Sequence, residues 1–186
     1  MVNTPLQPLL PSYVDARKVF QQQENISGSI GLERLPRFRD CLVDDDASIQ
    51  VRLSFSITAS RQHVITGAIQ ASVHVSCERC LEPLAIELTD DIRLALLKTE
   101  AAIEGLDAGW DPWICPDHKL VLAEVVEEQL MLCMPIVSLH ESGDCLETVN
   151  YSTVSATSQG TTATKQEVSQ NPFSVLKELK GNNVID

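Results

Sequence analysis

The sequence has few aromatic residues and no long apolar run. Aromatic side chains make up 4% of the 186 residues while 44% are hydrophobic, so the core must consist mainly of Leu, Ile, Val and Ala. No segment approaches the roughly 20 unbroken apolar residues of a membrane helix. The N-terminus has neither the basic region nor the apolar stretch of a signal peptide. We therefore expect a cytoplasmic protein without a membrane span.

Basic residues are scarce in the second half of the chain. Residues 1–80 balance eight Lys and Arg against eight Asp and Glu. The net charge of −12 falls entirely on residues 81–186, which hold six basic and eighteen acidic residues. Such a surface repels phosphate backbones and suits a basic partner. The only basic cluster lies in the first half, at Arg34, Arg37 and Arg39.

Recognisable catalytic motifs are also absent from the sequence. It contains no G-x-S-x-G, P-loop or Rossmann fingerprint. Glu124, Glu127 and Glu128 lie on a predicted helix, and we interpret them as a solvated face rather than as paired catalytic acids. Because no coherent nucleophile–base or carboxylate–metal set is found, we predict that the protein is not an enzyme.

Apolar and polar residues alternate through three consecutive stretches. The apolar residues take odd positions over 49–57 and 65–77 and even positions over 84–96. This period of two predicts strands with one buried face, and the short connections favour antiparallel pairing. Asp90 interrupts the third stretch, where we expect a bulge or bend. The pattern predicts an α+β fold with an antiparallel β-meander or a partly closed barrel.

Helical patterns flank the predicted meander. Residues 13–23 fit a short helix, and residues 99–118 fit a loop. Residues 119–135 carry apolar side chains at three-and-four spacing up to Pro135, which indicates an amphipathic helix packed on the sheet.

The chain after this helix changes character. We predict a core domain over 1–146, a flexible Ser/Thr-rich linker over 147–170 and a short helical segment over 171–186. Three apolar residues of the last segment lie near one side of the helix and are candidate partner contacts: Phe173, Leu176 and Leu179.

Six cysteines are expected to be reduced in the cytoplasm, so paired spacings indicate metal or redox sites. Cys77 and Cys80 have C-x-x-C spacing between two predicted strands. A redox pair normally opens a helix, so zinc fits this position better. The alternative is that all these cysteines are reduced, partly buried and free of metal. Zinc needs four ligands, and spacing leaves two candidates for the second pair, Cys115 with His118 or His140 with Cys145. Cys41 and Cys133 are expected in the core.

Four segments in sequence order resemble the YceD family of bacterial large ribosomal RNA subunit accumulation proteins. They are SGSIGLERLPRF at 27–38, CERCLEP at 77–83, AEVVEEQLMLCMPIVSLH at 123–140 with Cys145 beyond it, and NPFSVLKELK at 171–180. The resemblance covers most of residues 13–180 apart from the linker.

This resemblance implies a non-enzymatic ribosome-biogenesis factor that supports the synthesis, processing or stability of 23S rRNA. It favours His140 and Cys145 as the second half of a Zn²⁺ site. A basic ribosomal protein or pre-ribosomal particle is the expected partner, and any direct RNA contact would fall to the basic cluster. The alternatives are a zinc-dependent protein-interaction adaptor without a ribosomal role and an rRNA-processing enzyme.

Overall fold

A computed structural model describes residues 8–146 of the chain. The predicted linker at 147–170 and the C-terminal segment, with Phe173, Leu176 and Leu179, lie outside the described residues. None of the helices formed by residues 8–146 is long and apolar enough to cross a membrane.

Seven strands and three α-helices make up the described part. In chain order they are β1 Tyr13–Asp15, α1 Ala16–Gln22, β2 Asn25–Ser29, α2 Pro36–Arg39, β3 Ser48–Ile57, β4 His63–Ser76, β5 Pro83–Leu97, β6 Asp111–Ile114, β7 Lys119–Val121 and α3 Leu122–Cys133. Short 3₁₀ turns occur at Leu32–Arg34, Glu100–Gly105 and Gly143–Leu146.

The three long strands form an antiparallel meander, as the alternating pattern predicts. β3, β4 and β5 pair in sequence order, and β2 pairs with the free side of β3. β6 adds to the other side of β5 in parallel. The strand order β2-β3-β4-β5-β6 has two distinct edges, so this sheet is open rather than a closed barrel. A second sheet joins β1 to β7 antiparallel.

One face of the meander and the apolar face of α3 form the core. Phe55, Ile69 and Ile92 are almost completely buried on the sheet. α3 packs across β4 and β5 and buries Val126 and Leu130. Each fully buried aliphatic or aromatic side chain contributes about 1.5–3 kcal/mol, so this interface adds substantially to stability. The α+β fold with a packed amphipathic helix is therefore confirmed.

The N-terminal helix is shorter than predicted. It begins at Ala16 because Asp15 caps it, accepting a hydrogen bond from the backbone N–H of Arg17 at 3.0 Å. Residues 13–15 instead pair with β7. Part of the predicted loop at 99–118 is also structured, since it contributes β6, whose four residues, DPWI, are too few to show an alternating strand pattern.

Two residues have a different environment from the one predicted. Glu127 is buried, because α2 packs against its side of α3, so the interpretation of a fully solvated glutamate face was wrong. Cys41 is exposed rather than in the core, since it follows the end of α2. Its polarisable sulfur lies 3.9 Å from that of Met131.

Asp90 remains in regular register. It pairs with Ile69 without a bulge, and it lies on the helix-facing side of β5. On that side the charge of its carboxylate acts on the thiol of Cys133, which is partly buried. Burial first, and then the negative charge of Asp90, raise the pKa of Cys133 to about 11.

Candidate metal centre

The connection between β4 and β5 positions Cys77 and Cys80. The backbone N–H of Cys77 donates to the carbonyl of Glu82 at 3.0 Å, and the N–H of Leu81 donates back to the carbonyl of Cys77 at 2.8 Å. These bonds close a tight turn in which both cysteines are buried and unpaired by any disulfide. The hairpin setting predicted for this pair is confirmed.

Leu81 has an unusual backbone conformation in this turn. Its φ is +64°, in the left-handed region that costs an L-residue roughly 1–2 kcal/mol relative to the right-handed form. Glycine would adopt this conformation without that cost.

The loop that follows α3 brings His140 and Cys145 to the same place. The helix ends before Pro135, and the loop then returns to the turn, where the N–H of Glu78 donates to the carbonyl of Ser138 at 2.9 Å. The sulfur atoms of the three cysteines and a ring nitrogen of His140 all lie within 4.8 Å of one another. The four residues named for the metal site thus converge, although 60 residues separate Cys80 from His140.

The ring of His140 is oriented by two contacts. Its Nδ1 lies 3.5 Å from the sulfur of Cys80, and its Nε2 lies 3.3 Å from the carbonyl oxygen of Pro83. A carbonyl can only accept a hydrogen bond, so the neutral ring carries its proton on Nε2. Nδ1 is then the nitrogen that carries the lone pair, and it faces the sulfur of Cys80.

Arg79, the second residue between the two cysteines, ties the loop to the turn. Its guanidinium donates to the carbonyl of Ser142 at 3.1 Å and to the sulfur of Cys145 at 3.5 Å. A cation beside a thiolate stabilises the negative charge, and a bond to the backbone fixes the path of the loop.

The thiols have opposed pKa shifts. Burial disfavours ionisation of Cys77, but hydrogen bonds from the backbone N–H groups of Cys80, His140 and Arg79 outweigh it and lower the pKa to about 6. For Cys80, the N–H of Glu82 favours the thiolate, but burial and the neighbouring thiols raise the pKa overall. Several thiolates at this separation repel one another unless a cation lies among them.

The donor set fits a zinc ion. In a tetrahedral site with Zn–S near 2.3 Å and Zn–N near 2.1 Å, sulfur and nitrogen ligands are about 3.6 Å apart and two sulfurs about 3.8 Å apart. The 3.5 Å between Cys80 and His140 and the 4.8 Å limit on the whole set agree with these separations. Four protein ligands would leave no open coordination position, which is typical of a structural site.

The alternative pair, Cys115 and His118, lies at the other end of the sheet. Cys115 donates its N–H to Leu97 at the end of β5, whereas the C-x-x-C turn precedes the first residue of that strand. β5 has 15 residues, and the fourteen steps of about 3.3 Å between its first and last residue put the two places about 45 Å apart along the strand. Cys115 and His118 instead line a cavity of about 160 Å³ beside α1.

The basic cluster is held by internal contacts. Arg34 donates to the carbonyls of Leu10 and Pro11 at 2.6 and 3.0 Å, which fixes the N-terminal segment. Arg37 and Arg39 remain about half exposed, but both form ion pairs: Arg37 with Glu127 and Glu128, and Arg39 with Asp45. Their proposed RNA contact stays a prediction.

Sequence reasoning did not identify the contacts that hold the loop after α3 at the site. Arg79 is visible in the sequence as the one basic residue between the two cysteines. Pro83 and Ser138 contribute through their backbone carbonyls. A carbonyl contact depends on the path of the chain rather than on the residue type, so no sequence signal could have revealed these two.

Comparison with known proteins identifies a family that matches this chain. Residues 65–180 match the family model described as Large ribosomal RNA subunit accumulation protein YceD, and this span contains all four residues of the centre. A Haemophilus influenzae protein with the same description is 28% identical over 174 residues, covering 92% of this chain and 96% of that protein. No solved structure matches the chain significantly. The family match extends over more than half of the chain, which therefore belongs to the YceD family.

Proposed function

We propose that this protein is a non-enzymatic ribosome-biogenesis factor that supports accumulation of 23S rRNA. Its membership of a family described by large ribosomal RNA accumulation carries this proposal. The geometry supports a binding role, because the converging residues of the described part form a closed four-donor set rather than an open reactive centre. In such a role the protein works in the cytoplasm.

The partner is a basic ribosomal protein or a pre-ribosomal particle. The excess of acidic residues over 81–186 supports this choice, since an acidic surface attracts Lys and Arg and repels phosphates. Direct contact with RNA would use the exposed parts of Arg37 and Arg39 and would compete with their ion pairs. The C-terminal residues Phe173, Leu176 and Leu179 are further candidate contacts.

Zn²⁺ held by Cys77, Cys80, His140 and Cys145 is part of the proposal. The ion would supply structural cross-linking, since it would join the β4–β5 turn to the loop that follows α3. The backbone N–H groups around Cys77 and the guanidinium of Arg79 offset the charge of the thiolates.

Genetic deletion tests the proposed function. Deleting the gene should lower 23S rRNA relative to 16S rRNA and reduce the large-subunit peak in a sucrose gradient. A plasmid copy of the wild-type gene should restore both, and a copy carrying Cys80→Ser should restore them less well. Unchanged rRNA ratios and subunit profiles in the deletion strain would sink the proposal.

Elemental analysis tests the metal site separately. The full chain purified without chelator should hold about one zinc per molecule, because a closed structural site stays nearly full. Cys80→Ser and Cys145→Ser should lose most of it. Cys41→Ser and Cys115→Ser, which remove cysteines outside the centre, should keep it. Zinc well below one per chain in the wild type, or equal zinc in all four variants, would exclude the site.

A zinc-dependent adaptor without a ribosomal role is the second candidate. The four-donor cluster favours it, since such a cluster can shape a protein-binding surface in any pathway. Affinity purification under mild salt separates the two candidates. Recovery of precursor particles or ribosomal proteins supports the ribosomal role, and their absence beside another stable partner supports the adaptor.

A further inference from the structure

Four exposed apolar side chains lie in the two segments that carry the candidate ligands. Leu81 is 77% exposed, Ile136 96%, Val137 54% and Leu139 41%. We refer to these four residues as the apolar rim. Single exposed apolar residues are common on proteins, but a group of them on one ordered surface marks an interaction site.

Backbone contacts bring the rim together. Leu81 belongs to the β4–β5 turn, and the other three belong to the loop after α3. The N–H of Glu78 donates to the carbonyl of Ser138, which lies between Val137 and Leu139. The ring of His140 reaches the carbonyl of Pro83, two residues beyond Leu81. The two segments that carry the rim are thus joined on both sides.

The stability of the fold does not explain why the residues of the apolar rim are apolar. Leu81 occupies a left-handed position that glycine would fill more easily, and most of its side chain is in water. Ile136 is almost entirely in water, so it adds almost nothing to the core. Leu81 and Ile136 therefore lower the stability of the isolated domain or leave it unchanged. Their apolar side chains would contribute favourable free energy only when a partner covers them.

The charges around the rim decide what can cover it. Residues 120–146 contain five acidic residues and no Lys or Arg. Glu78, Glu82 and Glu141 are exposed beside the rim. The nearby Arg79 is half-buried and directs its guanidinium toward Ser142 and Cys145. An apolar surface with an acidic border is complementary to apolar side chains flanked by Lys or Arg.

We propose that the apolar rim docks a segment of a basic protein in which apolar side chains are flanked by Lys or Arg. RNA is disfavoured because the acidic border repels phosphates, and an anionic membrane is disfavoured for the same reason. The inference rests on the proposed role with a basic partner and names the surface that meets it.

Site-specific photo-crosslinking in the native host tests the docking. A photo-reactive amino acid at position 136 of the full chain should capture a protein with an isoelectric point above about 9, identified by mass spectrometry. The matched control carries it at position 103, because Ile103 is 41% exposed in the turn after the far end of β5. Capture of a second copy of this chain, of its own residues 171–180, of RNA or of an acidic protein overturns the proposal. Capture of nothing, or the same capture from position 103, also overturns it.

Leu81→Gly separates binding from folding. Glycine relieves the left-handed backbone, so the variant should unfold at the same or a higher urea concentration and keep its zinc. Its affinity for the captured partner, purified and measured by fluorescence anisotropy with the full-length variant, should fall at least about tenfold. Ile103→Ser should bind like wild type. Unchanged affinity of the Leu81→Gly variant refutes the proposal.

The two proposals fail in different experiments. If 23S rRNA is normal in the deletion strain but position 136 captures a basic protein, the role in rRNA accumulation is refuted. The proposal that the apolar rim docks a basic protein is then still supported. If 23S rRNA falls in the deletion strain but the Leu81→Gly variant binds the partner normally, the docking proposal is refuted. The role in rRNA accumulation is then still supported.

Discussion

Replacing Glu127 should destabilise the protein far more than replacing its neighbour Glu128. The buried carboxylate of Glu127 accepts hydrogen bonds from the backbone N–H groups of Arg37 and Phe38 at 2.8 and 3.3 Å. It also accepts one from the Arg37 side chain at 3.3 Å. These bonds join α3 to the first turn of α2, whose N–H groups have no partner within that short helix.

The expected magnitude follows from burial. Hydrogen bonds to a charged group contribute about 1.5–3 kcal/mol, and a buried N–H left without a partner costs about 1–3 kcal/mol. Glu127→Ala should therefore lower the free energy of unfolding by about 2–4 kcal/mol. The side chain of Glu128 is 46% exposed and forms its ion pair with Arg37 at the surface, so Glu128→Ala should cost about 0–1 kcal/mol.

Urea denaturation of the zinc-saturated full chain is the assay. With a slope near 2 kcal/mol per molar urea, Glu127→Ala should shift the unfolding midpoint by about 1–2 M. Both glutamates lie on α3, so the change in helix propensity is the same and cancels in the comparison. Glu127→Gln keeps one carbonyl acceptor and should fall between the two. Equal midpoints for the Glu127→Ala and Glu128→Ala variants would refute the reasoning.

Three further predictions concern other parts of the described chain. Gly67→Ala should lower the free energy of unfolding by about 1–3 kcal/mol, because a Cβ there would overlap the backbone carbonyl oxygen of Arg52; a thermal midpoint equal to that of wild type would contradict this. Arg34→Met should release the N-terminal segment, giving faster hydrogen exchange before residue 12 with the sheet unaffected, and uniform exchange changes would argue against it. At pH 8 iodoacetamide should modify exposed Cys41 much faster than Cys133, whose raised pKa keeps its thiol protonated, and peptide mass spectrometry giving equal rates would disprove it.

Local patterns in the sequence predicted much of the fold. The alternation over 49–57, 65–77 and 84–96 predicted the central strands, because a strand buried on one face needs that period. The same pattern located the C-x-x-C pair in a hairpin. It gave no sign of β6, whose four residues pair with β5 through tertiary contact rather than through their own periodicity.

Long-range contacts account for the errors. Glu127 looked solvated because its helix position is polar, but α2 covers it from 90 residues away in the chain. Cys41 looked like a core residue because cysteine is commonly buried, but it is exposed just after the end of α2. The internal contacts of Arg34, Arg37 and Arg39 were also not visible in the sequence, since their carboxylate and carbonyl partners are distant or irregular along the chain, and their RNA contact stays a prediction.

The sequence by itself determined the strands, the amphipathic helix, the hairpin position of Cys77 and Cys80, and the segments that mark the family, because these depend on local periodicity and short spacings. Only the tertiary structure decided which of two candidate pairs joins those cysteines. Spacing treated Cys115 with His118 and His140 with Cys145 alike, but the length of β5 separates the first pair from the turn, and the loop after α3 returns the second pair to it. Ligand geometry depends on distances of a few ångströms, and the folded path of the chain sets those distances.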